Sequence, residues 1–141
     1  MKITGLMTRK PHILSKNASL LDAVQKMEQA SCGILPIGEA KHVVGVVTDR
    51  DIIVRALAKG KDLITTKVIE VMTPKPLYCY EDENLQDVLV RMEQHNIRRI
   101  LVKNRNELLT GILTFGDVVR RAPVKFSLAS LFQNTNNLWQ V

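Results

Sequence analysis

The chain contains one unit twice. Leu6-Met7-Thr8-Arg9-Lys10-Pro11 returns as Val71-Met72-Thr73-Pro74-Lys75-Pro76, and Leu20-Leu21-Asp22-Ala23-Val24-Gln25-Lys26-Met27-Glu28-Gln29 returns as Leu85-Gln86-Asp87-Val88-Leu89-Val90-Arg91-Met92-Glu93-Gln94, both displaced by 65 positions. Gly45-Val46-Val47-Thr48-Asp49-Arg50-Asp51 returns as Gly111-Ile112-Leu113-Thr114-Phe115-Gly116-Asp117 at a displacement of 66, so one residue has entered a loop between. A duplication of this kind constrains the fold more than any short motif. It predicts two similar halves about a pseudo-twofold axis, with paired clefts between them. Each copy is about 55–65 residues long, a length at which an isolated domain buries too little surface to be more than marginal. The halves are therefore expected to stabilise one another.

Within each copy the order reads strand, helix, strand, strand, helix. Leu20, Ala23, Val24 and Met27 follow the spacing of one helix face, as do Leu85, Val88, Leu89 and Met92. Ser19 and Asp22 can cap the first of these helices, and Asn84 and Asp87 stand at the start of the second. Ile34-Leu35-Pro36-Ile37 and Val43-Val44-Gly45-Val46-Val47 read as strands about the turn Gly38-Glu39-Ala40-Lys41, with counterparts in Ile100-Leu101-Val102 and Leu108 to Leu113. A second helix starts near Arg50, carries Ile52, Ile53, Ala56 and Leu57, and closes at Gly60. Its equivalent near Gly116 carries Val118 and Val119 and is halted by Pro123. His12-Ile13-Leu14 and Leu77-Tyr78-Cys79-Tyr80 suggest one further short strand per copy. The domain assignment is residues 1–62, residues 63–123, and a tail of residues 124–141 with Phe126, Leu128, Leu131, Phe132 and Trp139, expected to form an extra helix or a dimer contact. Residues 62–70 are read as the link between copies.

Composition narrows the function. Hydrophobic residues make up 45% and charged residues 24%, as in globular domains, and no apolar run reaches the length of a membrane span or a signal peptide. A cytoplasmic location is expected. Two cysteines, Cys32 and Cys79, sit at non-equivalent places and form neither a disulfide framework nor a zinc motif. They are read as reduced structural thiols. His12, His42 and His95 lack metal-ligand spacing, and no metal is expected. The net charge of +6 favours an anionic partner. Basic residues are dispersed without a nucleic-acid-binding signature, so nucleic acid is disfavoured against nucleotide phosphates.

The chemistry falls on Thr48 with Asp51 and Thr114 with Asp117, each pair at a turn where an apolar strand gives way to a helix. Such a turn offers free backbone N–H groups to an anion. A threonine hydroxyl can donate, and an ionised aspartate can accept two hydroxyl donors side by side, as ribose offers them. The competing reading is plain helix capping, with threonine as cap and the acid in the first turn. Spacing alone favours that second reading.

The two copies resemble cystathionine β-synthase (CBS) domains. The resemblance rests on the Met-Thr segments with Pro11 and Pro76, the two amphipathic helices, Leu35-Pro36-Ile37, and above all the Gly45 to Ile52 and Gly111 to Val118 blocks. It covers residues 3–122 and is similar to a stand-alone tandem CBS pair, or Bateman module. It implies an α+β fold of two βαββα repeats packed through their sheets, with up to two clefts for AMP, ADP, ATP or S-adenosylmethionine. By the same resemblance Asp51 and Asp117 hold ribose, and Thr48 and Thr114 lie by ribose or phosphate. Arg98 and Arg99 stand where relatives place phosphate-binding residues, whereas the first repeat has Gly33 and Ile34 there. The second-repeat cleft is therefore expected to be the better nucleotide site. No nucleophile–base pair or metal constellation points to an enzyme. The function expected is a non-catalytic regulatory sensor, homodimeric, requiring no cofactor, read by an effector protein. The alternative is a ligand-free interaction module acting through dimerisation.

Overall fold

A computed structural model describes residues 2–122 of the chain. After a 3-10 turn at Ile3–Gly5, the elements run β1 (Thr8–Arg9), α1 (Leu20–Ala30), β2 (Ile34–Glu39), β3 (His42–Thr48) and α2 (Asp49–Arg55). Two further 3-10 turns, Leu57–Lys59 and Val68–Glu70, lead to β4 (Thr73–Pro74), β5 (Tyr78–Tyr80), α3 (Leu85–Gln94), β6 (Arg99–Lys103), β7 (Leu109–Thr114) and α4 (Phe115–Arg121). The fold is α+β with two repeats, as the duplication predicts.

Two compact units divide the chain. One is contiguous, Pro11–Pro76; the other is split, formed among the described residues by 2–10 and 77–122. The contiguous unit carries the sheet β2-β3-β4, all antiparallel, and Leu14 adds a parallel bridge to Ile37 at its edge. The split unit carries β1-β7-β6-β5, antiparallel except for the parallel β5–β6 pair. The two sheets share one plan. In each unit the apolar helix face and the sheet enclose a core: Leu20, Ala23, Leu35, Ile37 and Val47 in the contiguous unit, and Leu85, Val88, Met92, Ile100 and Leu113 in the split one.

The units do not coincide with the sequence repeats, whose boundary was expected at residue 62. Thr8 and Arg9, which open the first copy, pair with Ile112 and Gly111 of the second. Thr73 and Pro74, which open the second copy, pair with Val46 and Gly45 of the first. Each copy thus lends its opening strand to the sheet of the other. Both central strands have a glycine where the visitor crosses. A Cβ on Gly45 would lie 2.6 Å from Met72 Sδ and 2.8 Å from the Thr73 carbonyl oxygen, and one on Gly111 would lie 2.6 Å from Met7 Sδ and 2.9 Å from the Thr8 carbonyl oxygen. An arginine fastens each visitor: Arg55 Nη1 donates to the Val71 and Met72 carbonyls at 3.1 and 3.2 Å, and Arg121 Nη1 to the Leu6 and Met7 carbonyls at 3.1 and 3.3 Å.

Several local expectations are corrected. His12-Ile13-Leu14 does not form a strand and contributes only the Leu14 bridge. The turn between β2 and β3 is shorter than read, because β2 continues through a bulge after Ile37 to Glu39. Helix α2 stops at Arg55 and gives way to the Leu57–Lys59 turn, which Gly60 ends at φ 70. Ile52 and Ala56 are buried as expected, but Ile53 (58%) and Leu57 (51%) are exposed. Asn84 caps α3 by accepting from the Gln86 N–H at 2.8 Å, with no reciprocal bond from Asp87. Residues 62–70 are part of the contiguous unit: the Leu63 and Thr66 carbonyls accept from Leu21 and Leu20, and Val68 is fully buried. The expected tail contact lies outside the described residues.

Candidate functional site

Each β-to-α junction is built by a reciprocal pair of hydrogen bonds. Thr48 is the N-cap of α2: its Oγ1 accepts from the Asp51 N–H at 3.0 Å, and Asp51 Oδ2 accepts from the Thr48 N–H at 3.0 Å. Thr114 caps α4 identically, accepting from the Asp117 N–H at 3.0 Å while Asp117 Oδ2 accepts from the Thr114 N–H at 3.2 Å. The capping reading is therefore realised at both junctions. Ser19 and Asp22 make the same box at α1, with bonds of 2.9 and 3.0 Å.

Burial separates the junctions from that ordinary cap. Asp22 is exposed. Asp51 (9%) and Asp117 (4%) are the buried charged residues among the described residues, and they occupy equivalent places in the duplication. Burying a carboxylate costs several kcal/mol unless it is paired and hydrogen-bonded. Capping alone does not require that cost, since Asp22 caps from the surface.

The partners of the two acids differ. Asp117 Oδ1 accepts a 2.8 Å hydrogen bond from Arg120 Nη2. Asp51 has valine at the corresponding position, Val54; its Oδ1 lies 3.7 Å from Arg55 Nη1, and its Oδ2 accepts from Thr73 Oγ1 at 3.5 Å. Each box uses only one oxygen of its acid, and the threonine hydroxyl, accepting within the box, keeps its own proton to donate. Each junction can therefore present a buried acceptor oxygen and a hydroxyl donor to one small polar group.

The expected arginines enter through the backbone. The Arg98 carbonyl accepts from the Phe115 N–H at 2.9 Å, and Arg99 pairs with Thr114 across the β6–β7 ladder. Gly33 and Ile34 hold the same places in the first repeat, where the Gly33 carbonyl accepts from the Asp49 N–H at 3.0 Å and Ile34 pairs with Thr48. Arg98–Arg99 and Gly33–Ile34 thus occupy equivalent register positions. The Arg98 side chain is exposed and that of Arg99 half-buried. Arg55, Arg120 and Arg121 are not among the residues that sequence reading assigned to the junctions. The signal was present: Arg55 and Arg121 each follow the junction aspartate by four residues, at the same displacement of 66.

A CBS domain family model matches the chain twice, at residues 3–57 and 68–123. The chain belongs to the CBS-domain family. A curated relative, hypoxic response protein 1 of Mycobacterium tuberculosis, is 33% identical over 111 residues, covering 78% of this chain and 77% of its own. Among solved CBS structures, the CBS domain protein PAE2072 from Pyrobaculum aerophilum, complexed with AMP, is 25% identical with a TM-score of 0.78, over 96% of this chain and 98% of that one. The CBS domain pair of protein MJ0100, in complex with 5'-methylthioadenosine and S-adenosyl-L-methionine, is 27% identical with a TM-score of 0.75, over 85% of this chain and 94% of that one. Among the described residues no group of three or more His, Cys, Asp or Glu side chains is placed to hold a metal, and no helix is long and apolar enough to cross a membrane.

Proposed function

We propose that this CBS pair is a non-catalytic regulatory sensor acting in the cytoplasm, which binds an adenosine-containing ligand through its duplicated Thr-x-x-Asp junctions. The burial of two equivalent carboxylates, Asp51 and Asp117, carries the reading. A buried carboxylate that needs only one oxygen for its cap is suited to take paired ribose hydroxyls, and hydrogen bonds to a charged group contribute about 1.5–3 kcal/mol each. Relatives of the same fold hold AMP, or S-adenosylmethionine with methylthioadenosine, and adenosine is the chemistry these share. Thr48 and Thr114 donate to sugar or phosphate in this reading, and Arg98 and Arg99 add phosphate affinity at the second junction. Such a ligand regulates by preferring one arrangement of the molecule over another, since equal affinity shifts nothing. An effector protein then reads the change. The homodimer proposed with it is supported by apolar side chains left exposed on α2, Ile53 and Val54, and on the turn after it, Leu57.

A second reading is favoured by the capping boxes themselves. If Thr48–Asp51 and Thr114–Asp117 only end strands and start helices, the chain is a ligand-free interaction module. Thermal unfolding with AMP, ADP, ATP and S-adenosylmethionine separates the two. A ligand of the folded state at a hundred times its Kd adds about 2.7 kcal/mol and raises the melting temperature. Asp117→Ala should abolish most of that shift for AMP, and Asp51→Ala less of it. No shift with any of the four ligands leaves the interaction module standing; equal losses from both variants remove the asymmetry.

A further inference from the structure

The two junctions differ in a residue that neither the duplication nor the family match singles out. Arg120 reaches back over the first turn of α4 and places Nη2 2.8 Å from Asp117 Oδ1, the oxygen that the capping box leaves unused. Its path crosses Gly116: a Cβ there would lie 3.1 Å from Arg120 Nη1. The first repeat has Arg50 and Val54 in place of Gly116 and Arg120. The Arg120 side chain is 67% exposed while that of Asp117 is 5% exposed, so the guanidinium covers the carboxylate from the solvent side.

We infer that Arg120 is a built-in counter-ion which makes the second junction selective for anionic adenosine ligands, while the first junction, where Val54 stands in its place and Arg55 Nη1 lies 3.7 Å from Asp51 Oδ1, discriminates less between charged and uncharged ones. The inference rests on the sensor reading above. A ribose diol that takes Asp117 Oδ1 must displace the guanidinium. Adenosine offers the displaced cation nothing in return, whereas AMP brings a phosphate to which an arginine can bind in bidentate fashion. Arg120 thus weakens binding of the nucleoside and strengthens binding of the nucleotide at one site. It is a specificity determinant, and Gly116 is the residue that gives it passage.

The test is a titration of the full-length, nitrogen-15-labelled chain with adenosine and with AMP, followed by NMR at the amides of Thr48 and Thr114. Both N–H groups donate to their aspartates and so report each junction separately. In the wild type, AMP should be preferred over adenosine at Thr114 more strongly than at Thr48. Arg120→Gln, a change at an exposed side chain, should lower the AMP-to-adenosine preference at Thr114 by about tenfold or more, as loss of a charge-assisted contact predicts. Arg120→Lys should recover part of it, and the preference at Thr48 should not move. If both ligands bind the wild type and Arg120→Gln keeps the wild-type preference within about twofold, the inference is wrong and the sensor reading survives. If neither ligand moves either amide, the sensor reading fails and this inference falls with it.

Discussion

At the scale of single residues, the structure distinguishes side chains that the sequence leaves alike. Asp22, Asp51 and Asp117 all follow a hydroxyl residue by three positions, and all three close a capping box. Their difference in burial is invisible in the pattern, because it is set by packing beyond the local turn. The glycines are more legible once the copies are aligned, since Gly45 and Gly111 match at the displacement of 66. Neither has a positive φ; each makes room for a methionine and a carbonyl from the visiting strand. Gly45→Ala and Gly111→Ala should each destabilise the chain by about 1–3 kcal/mol, the range for overpacking a closed site, measured by urea denaturation. Cys79 is 1% exposed, and burial followed by the nearby Glu83 carboxylate pushes its thiol up to about 12, partly offset by Arg91. It should therefore remain unlabelled by thiol reagents in the native state at about pH 8 and react only on unfolding, because the thiolate is the nucleophile. Rapid native labelling of Cys79 would show that β5 opens.

Among elements, α-helices are read most accurately, because Leu20 to Met27 and Leu85 to Met92 combine a clear period with a cap. Short strands are read less well. Leu14 and Cys79 hold equivalent edge positions, in parallel bridges to Ile37 and Val102, but only the second copy forms a strand there, reinforced by side chains the first copy lacks: Tyr78 and Tyr80 meet edge to face, with Lys103 and Arg105 over their rings. Glu83 ties this edge to α3, accepting from the Tyr80 N–H at 2.6 Å and from Arg91 Nη2 at 2.5 Å. Arg91, by hydrogen bonding, holds the Glu83 carboxyl below its ordinary value of 4.5. A lowered folded-state pKa gives stability that is present above that ordinary value and is lost as pH falls through the lower one. Unfolding free energy followed from about pH 6 to about pH 3 should fall less steeply in Glu83→Gln than in the wild type. The arginine clamps make a second prediction. Arg121→Ala should speed amide exchange in the segment holding Leu6 to Arg9, and Arg55→Ala in that holding Val71 to Pro74, by about tenfold each, since a hydrogen bond from a charged donor contributes about 1.5–3 kcal/mol. Equal acceleration of both segments by either variant would mean that the clamps act on global stability instead.

For the molecule as a whole, the duplication makes the fold class legible and conceals the exchange of opening strands. Self-similarity identifies what is repeated but not which copy a segment packs with; that choice is made by Met7 and Met72 meeting glycines of the opposite copy and by arginines on the opposite copy's second helix. Fragments provide the test. Residues 11–76 keep a complete sheet and core, whereas residues 1–62 lose Val68, Val71 and β4. The first fragment should melt at a higher temperature and show more dispersed amide resonances than the second. Comparable folding of both would make the exchanged strand dispensable.

The split unit has a consequence for biosynthesis. Domains generally fold as units during translation. The contiguous unit has every residue it needs once Pro76 has left the ribosome. The other must keep Leu6 and Met7 waiting until Gly111 and Arg121 are made, a separation of up to 115 positions. Contacts this distant in sequence are slow to close. The segment holding Leu6 and Met7 should thus settle later than the contiguous unit translated after it, and a nascent chain stalled before β7 should leave that segment open to protease.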